Sequence, residues 1–218
     1  MLSSSKIRIV MKITVAVAIL ATTGAVLAAA TDLPSKLMEP SVAADELLGP
    51  EAFDSISDPG QRSVAIFNEA ARVLTHPRCT NCHPGGDRPR QGDNGQLHEP
   101  FVRRGADGFG VPGLRCTGCH TDVNFDPAGV PGAPHWHLAP REMGLHGKTV
   151  AAICRQLKDP AQNGNRTLQE LHTHVSTDPL VIWGWDPGAN RQPAPGTHAV
   201  FTSLIQAWID NGAVCPVP

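Results

Sequence analysis

The stretches CTNCH (residues 79–83) and CTGCH (residues 116–120) share the pattern C-x-x-C-H. In each, two thiols lie close together without being adjacent, and an imidazole follows the second thiol directly. This is the spacing of c-type haem attachment, in which two thiols form thioethers with the two vinyl groups of one porphyrin and the histidine ligates the iron. We therefore expect two covalent haems, with Cys79, Cys82, Cys116 and Cys119 as attachment residues and His83 and His120 as proximal iron ligands.

Two other uses of paired cysteines compete with this interpretation. Two C-x-x-C pairs can form a four-cysteine zinc ribbon, but a histidine follows each pair here, and the 33 residues between Cys82 and Cys116 exceed the usual ribbon spacing. A disulfide within each pair would span only two residues, which is strained and more typical of redox motifs. We therefore favour haem attachment over a zinc site or two disulfides.

The N-terminus has the layout of an export signal. Three basic residues precede an apolar run over residues 13–27, and Ala28-Ala29-Ala30 offers a small-residue cleavage site. The run is about fifteen residues, short of the roughly 20 that span a bilayer. We expect residues 1–30 to be cleaved and the chain to be periplasmic, without stable membrane insertion afterwards. An uncleaved membrane anchor is the alternative.

Composition supports a haem protein and argues against a nucleic-acid binder. The net charge of the 218 residues is −2, and it becomes −5 without residues 1–30, which hold three basic residues and no acidic one. No basic run offers a surface for nucleic acid. Aromatic residues make up only 5% of the chain, with no tyrosine. We expect two apolar macrocycles to fill part of the interior in their place.

The pattern along the chain predicts a mostly α fold with long irregular loops, built compactly around two haems. Residues 31–57 are expected to be a flexible arm, and residues 58–218 to form the di-haem domain. Helices are predicted from Asp58-Pro59 to Pro77, from Thr149 to Asp159, from a capping box that opens at Thr167, and from Thr197 to Asn211. Residues 84–115, rich in glycine and proline, are expected to be ordered by what the two motifs bind.

The ligand on the far side of each iron is less determined. His98 lies midway between the motifs in the glycine-rich loop, His137 follows the second motif, and Met143 could present its sulfur instead. On the helix that opens at Thr167, hydrophobic periodicity favours His172, because His174 is about 100° round from the apolar stripe. The surplus of histidines favours bis-histidine ligation for at least one iron. The eight histidines outside the motifs are His76, His98, His135, His137, His146, His172, His174 and His198.

The two remaining cysteines have a different prediction. Cys154 lies on the inner face of a predicted helix, and Cys215 follows the last one. In an oxidising compartment we expect them to form a disulfide that ties the C-terminus back to the domain. A free reactive pair is the alternative.

Five segments resemble a group of small exported di-haem cytochromes often labelled isoquinoline 1-oxidoreductase subunits. They are HPRCTNCHP (76–84), GLRCTGCH (113–120), WHLAP (136–140), ICRQLKDP (153–160) and WGW (183–185). The resemblance covers about residues 60–218. It implies that His98, His137 and His174 are the candidate distal ligands, with Met143 as runner-up, and so favours His174 over His172. The label further implies a cytochrome that takes electrons from a molybdenum hydroxylase.

These observations predict a periplasmic di-haem cytochrome that carries single electrons between a donor oxidoreductase and a respiratory acceptor, with redox proteins as its partners. The alternative is a small peroxidase-like or reductase-like haem enzyme with one vacant axial position. Such an enzyme would need a general base beside the open iron, for which His98 and Glu99 are the candidates.

Overall fold

The first long helix begins where its local chemistry predicts. In the computed structural model, which describes residues 45–188 and 190–218, α1 spans Pro59–Leu74. The Asp58 side chain accepts a hydrogen bond from the Gln61 N–H at 2.7 Å, and Pro59 occupies the first turn, where its missing N–H costs nothing. A one-turn helix, α2 (Pro77–Thr80), follows and carries the first cysteine of the first motif.

The last third of the chain contains four more helices. They are α3 (Val150–Lys158), α4 (Leu168–Thr177), α5 (Pro179–Ile182) and α6 (His198–Asp210). The capping box of α4 is confirmed: the Glu170 N–H donates to the Thr167 side chain, and the Thr167 N–H donates to the Glu170 carboxylate at 2.8 Å. Thr149 and Thr197 cap α3 and α6 in the same N-terminal position.

The hydrophobic core lies mainly between α1 and α6. Phe67 of α1 and Trp208 of α6 are fully buried, and their ring centroids are 4.9 Å apart. The Ser63 hydroxyl donates to the Trp208 carbonyl oxygen at 3.3 Å and accepts from the Val214 N–H at 2.9 Å, which satisfies this buried polar group. The C-terminal segment is thereby held against α1.

A disulfide joins Cys154 of α3 to Cys215, as the sequence predicts. Cys154 is fully buried in the core, and the Lys158 ammonium donates to the Ala213 carbonyl oxygen at 2.7 Å nearby. The disulfide and this hydrogen bond both tie the end of the chain to α3.

The middle of the chain is irregular but ordered by short hairpins. Strand β1 (Arg90–Gln91) pairs antiparallel with β2 (Gln96–Leu97), and β3 (Gly110–Val111) pairs antiparallel with β4 (Leu114–Arg115). Single turns of 3-10 helix occur at Pro50–Phe53, Cys116–Gly118, Asp126–Ala128, Arg141–Met143 and Trp183–Trp185. The described residues are mostly helical with little strand, so this part of the fold prediction is confirmed.

The predicted arm differs from the structure where it is described. The expected signal (residues 1–30) and residues 31–44 lie outside the described residues. From residue 45 the chain packs on the domain: Leu47 and Phe53 lie against the core, and the Leu48 N–H donates to the Glu69 carboxylate at 2.9 Å. Within residues 45–188 and 190–218, no helix is both long enough and apolar enough to cross a bilayer.

Candidate functional site

A cavity of about 370 Å³ opens beside the first C-x-x-C-H motif. Cys79, Cys82 and His83 line one part of its wall, and His137 and His174 line another. His137 and His174, each more than 50 residues from His83 in the sequence, thus come to the same cavity. Two of the three expected distal histidines therefore share a cavity with the first proximal histidine.

The four motif cysteines are free thiols in the structure. Burial raises the pKa of Cys79 to about 12. Burial also raises the pKa of Cys82 to about 11; the Arg78 guanidinium opposes this rise, and the thiol of Cys116 from the second motif adds to it. Both thiols of the first motif therefore keep their protons at neutral pH.

The His83 imidazole is held in one orientation. Its Nδ1 donates to the Met143 carbonyl oxygen at 2.8 Å, which leaves the lone pair on Nε2 for a ligand. Burial lowers the pKa of His83 to about 4, so the ring is neutral at pH 7, as a metal ligand must be. Met143 itself lines the same cavity, so it stays the runner-up as a distal ligand.

Helix α4 presents His174, not His172, to this cavity. The stripe of α4 buried in the core is formed by Leu171 and Val175. His174 lies off that stripe and lines the cavity, and its Nδ1 lies 3.2 Å from an Asp178 carboxylate oxygen. His172 instead contacts Ser176 on its own helix. Periodicity alone favoured His172 because it reports burial in the core and not direction toward a cavity.

Asp178 was not identified from the sequence as a site residue, although its spacing from His174 could have indicated it. It lies four residues after His174, a spacing at which helical side chains meet. The hydrogen bond from His174 lowers the pKa of Asp178 despite partial burial, and the other carboxylate oxygen caps α5 by accepting from the Leu180 N–H at 2.9 Å. A carboxylate fixed in this way orients the imidazole and raises its basicity as a ligand.

His137 is held by its neighbours as well. Its Nδ1 donates to the His135 carbonyl oxygen, and its ring stacks on Phe109 with centroids 4.7 Å apart and an interplanar angle of 18°. His135 adopts a positive φ of 60°, which turns the chain so that this contact forms. His137 and His174 thus both line the cavity beside the first motif and both have Nδ1 engaged in a contact.

The second motif has a matching partner in His98. The His120 Nδ1 donates to the Pro131 carbonyl oxygen at 2.7 Å, and the His98 Nδ1 donates to the Pro100 carbonyl oxygen at 3.0 Å. The two ring centroids are 6.0 Å apart. A metal–imidazole nitrogen bond is about 2.0–2.1 Å long. Two imidazoles that bind one metal ion from opposite sides therefore have ring centroids separated by roughly the distance between His98 and His120. Burial lowers the pKa of His120 and so favours its neutral form.

Apolar side chains around the second motif are exposed to solvent. Of the eight large hydrophobic residues exposed among the described residues, five fall within residues 97–125, on both sides of the motif; they are Leu97, Phe101, Leu114, Val123 and Phe125. Exposed apolar side chains that lie together are typical of surfaces that bind a ligand or a partner. A porphyrin at the second motif would cover apolar area here, so these residues fit the group.

Aromatic contacts connect the two motifs. The Trp136 ring stacks on His120 at 4.6 Å with an interplanar angle of 7°, and Trp183 meets Trp136 edge-on at 5.0 Å. The Arg78 guanidinium lies 5.7 Å from the Trp183 centroid and lines the first cavity. The Arg78 side chain is 3% exposed, it pairs with Asp93, and its buried Nε has no hydrogen-bond partner. An unpaired buried donor in this cavity also fits an anionic group such as a haem propionate.

Arg104 holds the loop after the first motif, and no local sequence pattern marks it. Its buried guanidinium donates to the carbonyl oxygens of Ala139, Pro84 at 3.0 Å and Gly86 at 3.1 Å. The Ala139 N–H in turn donates to the Cys82 carbonyl oxygen at 3.1 Å. Arg104 therefore joins the chain that follows His83 to the segment that carries His137.

The five histidines proposed as axial ligands share one arrangement: each uses Nδ1 in a contact with a main-chain oxygen or a carboxylate, and each leaves Nε2 available. Other histidines are used differently. His76 caps α2 by accepting from the Arg78 N–H at 3.2 Å, and the His198 Nε2 donates to the Val175 carbonyl oxygen at 2.8 Å. The arrangement therefore separates the candidate ligands from these histidines.

No cluster of three or more His, Cys, Asp or Glu side chains arranged to hold a metal ion occurs within residues 45–188 and 190–218. An iron held in a porphyrin needs only two axial side chains. Comparisons of the chain with models of protein families, with curated proteins and with solved structures found no match.

Proposed function

We propose that this chain is a c-type cytochrome that binds two haems covalently and transfers single electrons. The observation that carries the proposal is the pairing of each C-x-x-C-H motif with an oriented histidine from a distant part of the chain. His98 lies 6.0 Å from His120 between ring centroids, and His174 shares a cavity with His83. Both partners hold Nδ1 in a contact and leave Nε2 available.

The proposed attachment uses the free thiols. The S–H of Cys79 and of Cys82 would each add across one vinyl group of the first haem, so that each sulfur gains a bond to carbon and the proton goes to the neighbouring vinyl carbon. Cys116 and Cys119 would do the same for the second haem. No atom leaves in these additions.

We propose the iron ligands from the contacts that the histidines make. For the first haem we propose His83 and His174, because the carboxylate of Asp178 fixes His174 in the manner of a ligand. His137, which lines the same cavity, is the second candidate there. For the second haem we propose His120 and His98. The haem iron supplies one-electron oxidation and reduction when it is bound.

The protein's own contribution is to keep this chemistry outer-sphere. His83 with His174, and His120 with His98, would hold the two irons and leave no position for a substrate, and rings already held through Nδ1 would need no rearrangement when the charge of the iron changes. Bis-histidine ligation favours a lower potential than histidine–methionine ligation. An electron would enter from a donor oxidoreductase, for which the family resemblance suggests a molybdenum hydroxylase, and leave to a respiratory acceptor. We place this exchange in the periplasm, after cleavage near Ala30.

The first experiment tests attachment. The protein is expressed with its export signal in a host that matures c-type cytochromes, and its intact mass is measured without reductant. We expect the mass of the cleaved chain plus two whole haems, less two hydrogens for the Cys154–Cys215 disulfide. A colourless protein with the mass of the bare chain contradicts the proposal.

The second experiment tests the ligands by low-temperature electron paramagnetic resonance of the oxidised holoprotein. We expect two low-spin signals. His174→Ala should turn one of them high-spin, and His98→Ala the other, whereas His172→Ala, on the same helix as His174, is the matched control and should change neither. A high-spin centre in the unaltered protein would instead favour the haem enzyme with an open iron.

A further inference from the structure

A second cavity, an open groove of about 470 Å³, is lined in part by the loop that follows His83. Three arginines and a histidine contribute its polar lining: Arg88, Arg90, Arg103 and His146. We call it the arginine groove. It is strongly basic although the whole chain carries a net charge of −2.

The acidic groups around the arginine groove neutralise little of this charge. Asp87 also lines it, but its carboxylate is bound by Arg141. Glu99 reaches Arg88 only at 3.3 Å, and its side chain is 70% exposed. In the described ranges, no carboxylate pairs with Arg90 or with Arg103.

The guanidinium groups are held in place before any ligand arrives. Arg88 donates to the His98 carbonyl oxygen at 2.8 Å, and Arg90 donates to the Gly95 carbonyl oxygen at 2.6 Å. The guanidinium groups of Arg88 and Arg103 lie 4.5 Å and 5.4 Å from the Phe101 ring centroid. These contacts fix the side chains and so reduce the entropy lost on binding an anion.

The arginines of the groove have more N–H groups than these contacts use. A guanidinium has five N–H groups, and the buried Nε of Arg88 has no hydrogen-bond partner. Phe101 and Leu97, which are 53% and 45% exposed, add an apolar wall beside the charges. Arginine forks match the planar, two-oxygen geometry of a carboxylate.

We propose that the arginine groove binds carboxylate groups. Two sources supply this chemistry: a small organic acid from solution, or a propionate of the proposed second haem. Arg88 donates a hydrogen bond to the main-chain carbonyl oxygen of His98, the proposed distal ligand of that haem. The second source rests on the proposed function, and the first does not.

The test uses the holoprotein with citrate as the probe. Citrate binding is followed by isothermal titration calorimetry at low ionic strength, and the two reduction potentials are followed by optical redox titration. Both are measured for the unaltered protein, for Arg88→Gln and Arg103→Gln, and for Arg155→Gln as the control, an exposed arginine on α3 outside the groove. Circular dichroism checks that each variant is folded.

A solution ligand predicts that citrate binds the unaltered protein and the control equally, and that either groove variant binds it at least tenfold more weakly. A propionate predicts that citrate does not bind, and that either groove variant lowers one potential, because a lost positive charge disfavours the reduced iron. If citrate does not bind and the potentials agree in all variants, or if the control loses binding equally, the proposal is wrong. The citrate titration can still be read if the chain carries no haem, so the two proposals fail separately.

Discussion

Replacement of Arg104 with methionine would remove the contact that joins the loop after the first motif to the segment with His137. Methionine keeps much of the side-chain volume but has no donor. The guanidinium donates to three carbonyl oxygens, those of Ala139, Pro84 and Gly86. Each would have to find another donor or stay unpaired.

The burial of these carbonyl groups determines the cost. Gly86 is exposed, so water can replace the arginine there, whereas Pro84 and Ala139 are buried. An unpaired buried acceptor costs about 1–3 kcal/mol, so the two together cost about 2–6 kcal/mol. Against this, the variant no longer buries a guanidinium whose Nε lacks a partner, which recovers roughly 1–2 kcal/mol. The midpoints of these ranges give a net loss of about 2.5 kcal/mol, a substantial part of the stability of an ordinary domain.

Urea unfolding of the holoprotein, followed by far-ultraviolet circular dichroism, measures this loss. Arg103→Met is the matched control, because the neighbouring arginine is exposed and should change the free energy of unfolding by no more than about 0.5 kcal/mol. In the Arg104→Met sample, only the paramagnetic signal of the haem proposed at the first motif should change. An Arg104→Met protein whose free energy of unfolding equals that of the control would refute the reasoning.

Three further predictions follow from single contacts. Replacing both Cys154 and Cys215 by alanine should lower the free energy of unfolding by about 4 kcal/mol in the chain-entropy model, because the disulfide closes a loop with a sequence separation of 61. Equal urea midpoints for the double variant and the unaltered protein would contradict this. Hydrogen bonds from Thr167 lower the pKa of Glu170. The stability that the Glu170 carboxylate provides should therefore be present above its unfolded pKa and disappear as the pH falls through the lower folded pKa. The melting temperatures of the unaltered protein and of Glu170→Gln should then converge in acid, and a difference that stays constant with pH would contradict this prediction. Asp178→Asn removes the anionic partner of the proposed distal histidine on α4, which should raise the potential of one haem and leave the other unchanged in a redox titration.

Much of the helical frame is predictable because its determinants are local. Asp58 followed by Pro59 sets the start of α1, and the reciprocal pair of Thr167 and Glu170 sets the start of α4. The C-x-x-C-H spacing is local as well, so the proposed attachment residues and proximal histidines can be named from the sequence alone. The Cys154–Cys215 pairing was predictable by elimination, since the other four cysteines had a use.

The partners across each site depend on tertiary packing instead. Nothing in the spacing of His83 and His174 says that they share a cavity, because α4 must first dock its Leu171 and Val175 stripe on the core before the direction of His174 is set. Periodicity therefore identified the core face and favoured the wrong histidine for this cavity. Arg104 could not be predicted because its three acceptors are main-chain carbonyl groups, which leave no trace in side-chain sequence.

The burial of Cys79 and Cys82 has a consequence for maturation. Disulfide exchange proceeds through thiolates, and thiols with a pKa of about 12 and about 11 supply almost none at neutral pH. An environment oxidising enough to join Cys154 to Cys215 would therefore cross-link the first motif only slowly once the chain has collapsed around it. The fold would thereby give kinetic protection to the two sulfurs that the proposed haem attachment needs in reduced form.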